Sequence, residues 1–330
     1  MGLHRLAAER DCAGAVPHRL VFAADSAYGS AGTFAATDAC MLTLYDAAGA
    51  GPGLSRRDGS DAITETTVWL DLLNPTVEED RHVEAALGIT IPTRAETREI
   101  EASSRLYQEN GAYYMTAFIV YNVDAPIPET STLTFVLAGN RLVTVRYSEP
   151  KAIPLFLSRA EKGDAACNSG PAILAGLLES IISRQADLVE RIQDETEKLA
   201  RGVFEIKGGQ QTRSRRLDVL LKTTGKEGDI VSKAQESALS IDRVLTFALA
   251  AIKERREDAR IVERLHTAQR DTGSLMEHMR FVSNRLTFLL DATLGMISIE
   301  QNQIIKLFSV VSVVLMPPTL VGTIYGMNFK

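Results

Sequence analysis

The stretch LFSVVSVVLMPPTLVGTIYGMNF, residues 307–329, decides the fold. None of its side chains is charged at neutral pH; Lys306 stands just before it and Lys330 just after. At about 1.5 Å per residue the run makes roughly 34 Å of helix, enough to cross a hydrocarbon core of about 30 Å. A buried core helix is the alternative, but charge-free runs above about 18 residues are usually membrane spans. The run therefore predicts a span.

The predicted span is not uniformly apolar. Asn302, Ser309, Ser312, Thr319 and Thr323 recur at steps of seven, three, seven and four, and Ile305 and Met316 fill the gaps. Those spacings place the side chains on one stripe of a helix. Traced backwards, the stripe passes Ser298, Gly295 and Asp291. At membrane depth such a stripe should face protein or water, because hydrocarbon offers polar groups no partners. Helix–helix packing would also favour Ser, Thr and Gly. A stripe this long, with a carboxylate near one end, fits a pore at least as well.

Four segments near this span, residues 299–302 (IEQN), 304–306 (IIK), 317–320 (PPTL) and 325–329 (YGMNF), together resemble the CorA magnesium channels. Residues 100–105 (IEASSR) share the resemblance, which covers most of the chain after about residue 41. It implies a homopentamer with a cytosolic α/β funnel, a long pore-lining stalk helix and a Gly-Met-Asn loop at the outer mouth. The cargo would be Mg²⁺, with cobalt or nickel as further ions, and the protein would not be an enzyme. Tyr325, Gly326, Met327 and Asn328 would form the selectivity loop. Mg²⁺ dehydrates reluctantly, so Asn328 would offer its amide oxygen to the hydrated ion. Asp291, Asn302, Ile305, Ser309, Ser312, Met316, Thr319 and Thr323 would line the pore. Regulatory Mg²⁺ would bind acids of funnel and stalk between subunits, with Glu96, Glu99, Glu101, Glu263, Asp271 and Glu277 as candidates.

The family continues past Gly-Met-Asn with an acidic loop, a second span and a basic tail, whereas the sequence stops at Lys330. The expectation is a truncated product. A single-span anchored cytosolic scaffold, or a zinc-transporting relative, are the alternatives. Arg280, Arg285 and Lys306 precede the span and Lys330 alone follows it. That asymmetry predicts an N-terminal part in the cytoplasm, and the resemblance implies the inner membrane.

The 330 residues suggest two domains. Hydrophobic residues make up 45% and charged ones 24%, as in a globular protein able to carry a span, and the net charge of −6 argues against nucleic acid as a partner. Cys12, Cys40 and Cys167 lack metal or disulfide spacing. The division expected is a leader at 1–40, with Met41 as the true start, an α/β domain at 41–165, a helical region at 166–256, and a stalk at 257–327. Its span is 307–327, and 328–330 begin an outer loop.

Within the α/β part, residues 41–45 and 68–72 read as strands and 49–60 as a turn-rich loop. Thr76 with Glu79 predicts a capping box opening a helix that Gly88 stops, and Thr93 with Glu96 repeats the pattern. Strands follow at 105–108, 112–123, 132–138 and 141–146, joined in pairs by Asn110-Gly111 and Gly139-Asn140. Apolar residues at 174, 177, 178, 181, 188, 192 and 199 trace one helical face. A helix at 212–223 ends before Gly225, another begins near Asp229, and a last one of about 70 residues starts near Glu257. A heptad-like row (Val262, Leu265, Gln269, Thr272, Met276, Met279, Ser283, Leu286, Leu290, Thr293, Ile297) should pack that helix on its neighbours or on copies of itself.

Overall fold

The computed structural model describes residues 41–47, 53–99, 101–163, 167–204, 210–255 and 257–326. The expected leader at 1–40 and the loop residues Met327 and Asn328 lie outside them. Strands β1 (Met41–Ala47), β2 (Leu54–Asp58) and β3 (Thr67–Leu73) come first, then α1 (Val77–Leu87), a 3-10 turn (Glu96–Arg98) and α2 (Ala102–Arg105). Strands β4 (Leu106–Glu109), β5 (Ala112–Tyr121), β6 (Glu129–Ala138) and β7 (Arg141–Arg146) complete one sheet. Helices α3 (Ala152–Glu161), α4 (Gly170–Phe204), α5 (Gln210–Glu254) and α6 (Ala259–Gly326) follow.

The seven strands lie in the order β2-β1-β3-β7-β6-β5-β4, antiparallel except where β3 meets β7. Every residue of β3 is buried, because the strand is central and covered on both faces. One face holds Leu44, Leu70, Leu72, Tyr114 and Val136 against Val83 of α1. The other packs Trp69, Met115, Phe135 and Leu142 on Phe156 of α3 and on the long helices. A polar relay crosses this interior. The Trp69 indole donates to the Thr144 hydroxyl at 2.9 Å, and that hydroxyl donates to Asp71 Oδ1 at 2.6 Å. Arg146 closes on the same carboxylate with Nη2 at 2.8 Å and donates Nη1 to the Ser148 carbonyl, so the buried pair is satisfied on both sides.

Local chemistry sets the boundaries. The Thr76 hydroxyl accepts from the Glu79 amide while the Glu79 carboxylate accepts from the Thr76 amide, and Gly88 ends α1 at φ +66°. Thr93 and Glu96 make the same reciprocal contact, but only the 3-10 turn follows. At the β4–β5 turn Asn110 and Gly111 take φ +50° and +78°, the left-handed pair a two-residue hairpin needs. Beyond Met115, β5 has no neighbour on its β4 side. Helix α5 covers that edge with hydroxyls: the Phe118 amide donates to Ser240 Oγ at 2.9 Å, and Ser237 Oγ donates to the Phe118 carbonyl at 2.9 Å. The edge is closed without another strand.

Several expectations need correcting. The loop expected at 49–60 contains β2; its Ser-Arg-Arg-Asp run looks unlike a strand because β2 is the exposed sheet edge. Arg105 belongs to α2 rather than to the first hairpin strand, and β5 ends at Tyr121, short of Val123. Strand β6 begins at Glu129, three residues early, because it pairs with the whole of β5. Helix α3 had no counterpart in the strand pattern. The helices at 212–223 and from Asp229 are one helix, α5, continuous through Gly225 and Gly228. Two interior glycines cost only about 1 kcal/mol each, less than the packing of Ile230, Val231, Ala234 and Ala238 restores.

The longest helix, α6, runs 68 residues, through Pro317 and Pro318. Its buried residues are Ile261, Leu265, Ala268, Thr272, Met279, Val282, Leu286, Leu289, Thr293 and Glu300. These recur at steps of four, three or seven and pack on α4 and α5. Half of the expected row is correct. The other half is displaced by one residue: Ala268, Val282 and Leu289 face the core where Gln269, Ser283 and Leu290 were expected.

A candidate ion pathway on the long helix

Residues 301–326 of α6 are all exposed, and this is the one helix among the described residues long and apolar enough to cross a membrane. Phe308, Val310, Val313, Val314 and Leu315 stand free around it. The predicted pathway residues Asp291, Asn302, Ile305, Ser309, Ser312, Met316, Thr319 and Thr323 are likewise exposed. Their positions repeat in the same heptad as the buried seam. At 3.5 residues per turn the two rows lie about 150° apart around the helix. The stripe therefore looks away from its own chain's core.

The hydroxyls of the stripe are already committed as donors. Ser309 Oγ donates to the Ile305 carbonyl at 2.9 Å and Ser312 Oγ to Phe308 at 2.8 Å. Thr319 Oγ1 reaches the Leu315 and Met316 carbonyls, and Thr323 Oγ1 those of Thr319 and Leu320. A hydroxyl whose proton points into its own helix presents only lone pairs outward. That row can accept from water or face a cation, and it has no proton left to give an anion. Tyr325 and Gly326 close the described part of the helix, and Met327 and Asn328 lie beyond it.

Followed downward, the same two heptad columns pass Phe288, Asn284, Phe281 and Glu277, and reach Glu263, all exposed. The sequence reading stopped at Asp291 and missed the two aromatic positions. Their period was legible, but bulky rings among polar neighbours disguised it. Glu263 and Glu277 share Asp291's column, each two heptads from the next.

The candidate regulatory acids fall into two groups that one chain does not bring together. Glu96 opens the 3-10 turn and accepts from the Thr93 amide, and Glu99 and Glu101 follow it, exposed. Glu263, paired with Arg270 at 3.6 Å, and Glu277 lie on the stalk stripe. Asp271 lines a groove of about 530 Å³ between α4 and α6 with Glu179, Ser183 and His278. There Glu179 is held by both forks of Arg264 at 2.8 Å, and His278 Nε2 meets Gln193 at 2.8 Å. Among the described residues no group of three or more His, Cys, Asp or Glu is placed to hold a metal ion.

An α/β head, a stalk with one core-facing seam, and an apolar exposed end with an acceptor stripe define a membrane protein built around a single long helix. Residues 64–330 match the family described as CorA-like Mg²⁺ transporter protein. The chain is 33% identical over 273 residues to the magnesium transport protein CorA of Yersinia pseudotuberculosis, covering 83% of this chain and 84% of that one. It is 34% identical over 263 residues to the protein of the same name from Escherichia coli, covering 80% and 81%. The chain belongs to the CorA-like Mg²⁺ transporter family. In fold it resembles the CorA magnesium transporter of Methanocaldococcus jannaschii, with TM-score 0.64 at 18% identity over 88% of each chain. It also resembles the ZntB cytoplasmic domain of Vibrio parahaemolyticus, with TM-score 0.56 at 9% identity over 80% of this chain and 99% of that one.

Proposed function

We propose that this chain is one subunit of a divalent-cation channel, with Mg²⁺ as its main cargo and cobalt or nickel as further ions, set in the inner membrane with its head in the cytoplasm. The observation that carries the reading is the stripe from Asp291 to Thr323, which faces away from the seam that holds α6 to its own fold. A polar stripe whose outward side no described residue covers calls for copies of itself around an axis, and five is the number the resemblance implies. Membership of the CorA-like family supports the same reading.

In that assembly residues 41–165 form the head, 166–256 the supporting helices and 257–327 the stalk. Asn302, Ser309, Ser312, Thr319 and Thr323 would offer oxygens to a hydrated ion, and Ile305 and Met316 would form narrow apolar rings able to gate by dewetting. Asp291 would concentrate cations at the cytoplasmic end. Asn328, with Tyr325, Gly326 and Met327, would meet hydrated Mg²⁺ at the outer mouth. Glu96, Glu99 and Glu101 of one copy would share regulatory Mg²⁺ with Glu263, Asp271 or Glu277 of the next.

Cysteine accessibility tests the stripe. In a background without Cys12, Cys40 and Cys167, cysteine at Ser309, Ser312 or Thr319 should react with a water-soluble, membrane-impermeant thiol reagent in reconstituted vesicles. Mg²⁺ should slow that reaction. Cysteine at Val310 or Val314, on the opposite side of α6, should stay unreacted. Equal labelling of both sets, or no Mg²⁺ protection, would rule out a water-filled path along the stripe.

A further inference from the structure

We propose that the outer face of the sheet carries a binding site for a small phosphate-chain anion, a function separate from the ion pathway and independent of whether the chain conducts. Two cavities, of about 260 and 350 Å³, meet at Phe118 of β5. The first is bounded by Arg105, Thr116, Glu236, Ser240 and Arg243. The second is bounded by Arg94, Arg98, Thr130, Ser131, Thr132 and Tyr147. Four arginines thus line the two cavities that share this ring, in a chain whose net charge is −6.

Elsewhere on the fold, Arg57, Arg184, Arg255 and Arg264 each hold a carboxylate. Among the described residues Arg94, Arg98, Arg105 and Arg243 are in no ion pair closer than 4.0 Å, although Glu236 lies in the same wall. Two of them are already oriented: the Arg105 guanidinium lies over the Phe118 ring at 4.1 Å and that of Arg94 over Tyr147 at 5.1 Å. Burial pulls the Arg105 pKa below its ordinary value, Glu236 works against that, and Arg243 adds a smaller push downward. Four guanidiniums and a single carboxylate, Glu236, line the two cavities, so their lining carries excess positive charge.

The missing charge has a recognisable chemistry. Planar guanidinium forks match phosphate oxygens in pairs, and a fork laid flat on a ring is preorganised for that contact. The Thr130 hydroxyl has no hydrogen-bond partner among the described side chains and stands ready to donate. Both rings are covered by arginine, so a nucleobase has no face to stack on. The site should read the phosphate chain alone. Nothing here resembles the acceptor-only stripe of α6, which would repel the same ligand.

Isothermal titration of the full chain in detergent, in Mg²⁺-free buffer, decides the matter. Sodium triphosphate should bind once per chain and ATP with similar affinity, because the base is not read; sulfate should bind at least tenfold more weakly. Arg98 and Arg243 are exposed, so Arg98→Ala and Arg243→Ala should fold, and each should weaken triphosphate by about tenfold. Lys162→Ala, an exposed lysine elsewhere, should change nothing. Absent triphosphate binding, unchanged binding by the double variant, or binding of ATP without triphosphate would each overturn the proposal. So would an Arg98→Glu, Arg243→Glu variant whose oligomer dissociates while the wild type takes up no triphosphate, since the cluster would then be a contact between subunits.

Discussion

Asp80, in the first turn of α1, has a buried Oδ1 with no hydrogen-bond partner. Its acidic neighbours offer it no proton, since the carboxylates of Glu79 and Glu84 only accept, from the Leu42 and Ile91 amides at 2.8 Å each. Burial first, then the charges of Glu84 and Glu79, push its pKa up from 3.8 to about 6. The folded state thus binds this proton more tightly than the unfolded chain does. Stability therefore falls as pH rises from about 4 through 6, because ionisation is easier after unfolding. With about half the side chain open to solvent screening, the effect is on the order of 1 kcal/mol. Asp80→Asn should raise the melting temperature at pH 7–8 and match the wild type near pH 4. A difference that stays constant across that range would mean the carboxylate does not titrate in the fold. At this scale the exposed stripe on α6 was legible, because a helical stripe needs only residue spacing. Asp80 was not: an acid in a first helical turn usually marks a favourable dipole contact.

Glycines test the reading of α5. An added Cβ at Gly225 or Gly228 meets nothing within 4 Å, and both positions are helical. Gly225→Ala and Gly228→Ala should each stabilise the fold by about 0.5–1 kcal/mol, seen as a higher denaturation midpoint. In α4 the outcome reverses. A Cβ at Gly176 would lie 2.4 Å from Phe156 Cε2, so Gly176→Ala should destabilise by roughly 1–3 kcal/mol. If both classes shift the midpoint the same way, the helix assignment through residues 225–228 is wrong. The same glycines explain why the sequence divided α5 in two. Propensity alone favours a break there, and the long-range packing that overrides it leaves no local mark. Capping boxes and the Asn-Gly turn are local by nature, so α1 and the β4–β5 hairpin were legible from a few residues. Strand β2 was not, because an edge strand needs no apolar face of its own.

For the whole molecule, charge sets direction. Arg280, Arg285 and Lys306 lie on the head side of the apolar run. In the proposed topology the excess of basic residues favours a cytoplasmic head, so protease added to inverted vesicles should digest it. A head that stays protected until detergent is added would reverse the orientation. The order head, stalk, span was readable from hydropathy and proline placement alone. The strand order was not, because β3 pairs with β7 across more than sixty intervening residues and leaves no periodic trace.

Seam and stripe on α6 keep one beat, seven residues long, from Ile261 to Thr323. A straight α-helix slips about 20° per heptad against that beat, roughly half a revolution over the length of this one. The helix must therefore wind left-handed, or its outer residues would lose phase with its inner ones. It behaves as a keyed shaft. Adding one residue between Thr293 and Asn302 would turn everything beyond it by about 100° and bring Phe308, Val311, Pro318 and Gly322 where the hydroxyls of Ser309, Ser312, Thr319 and Thr323 stood. The distance from sheet to membrane can change only in whole heptads, steps of about 10 Å.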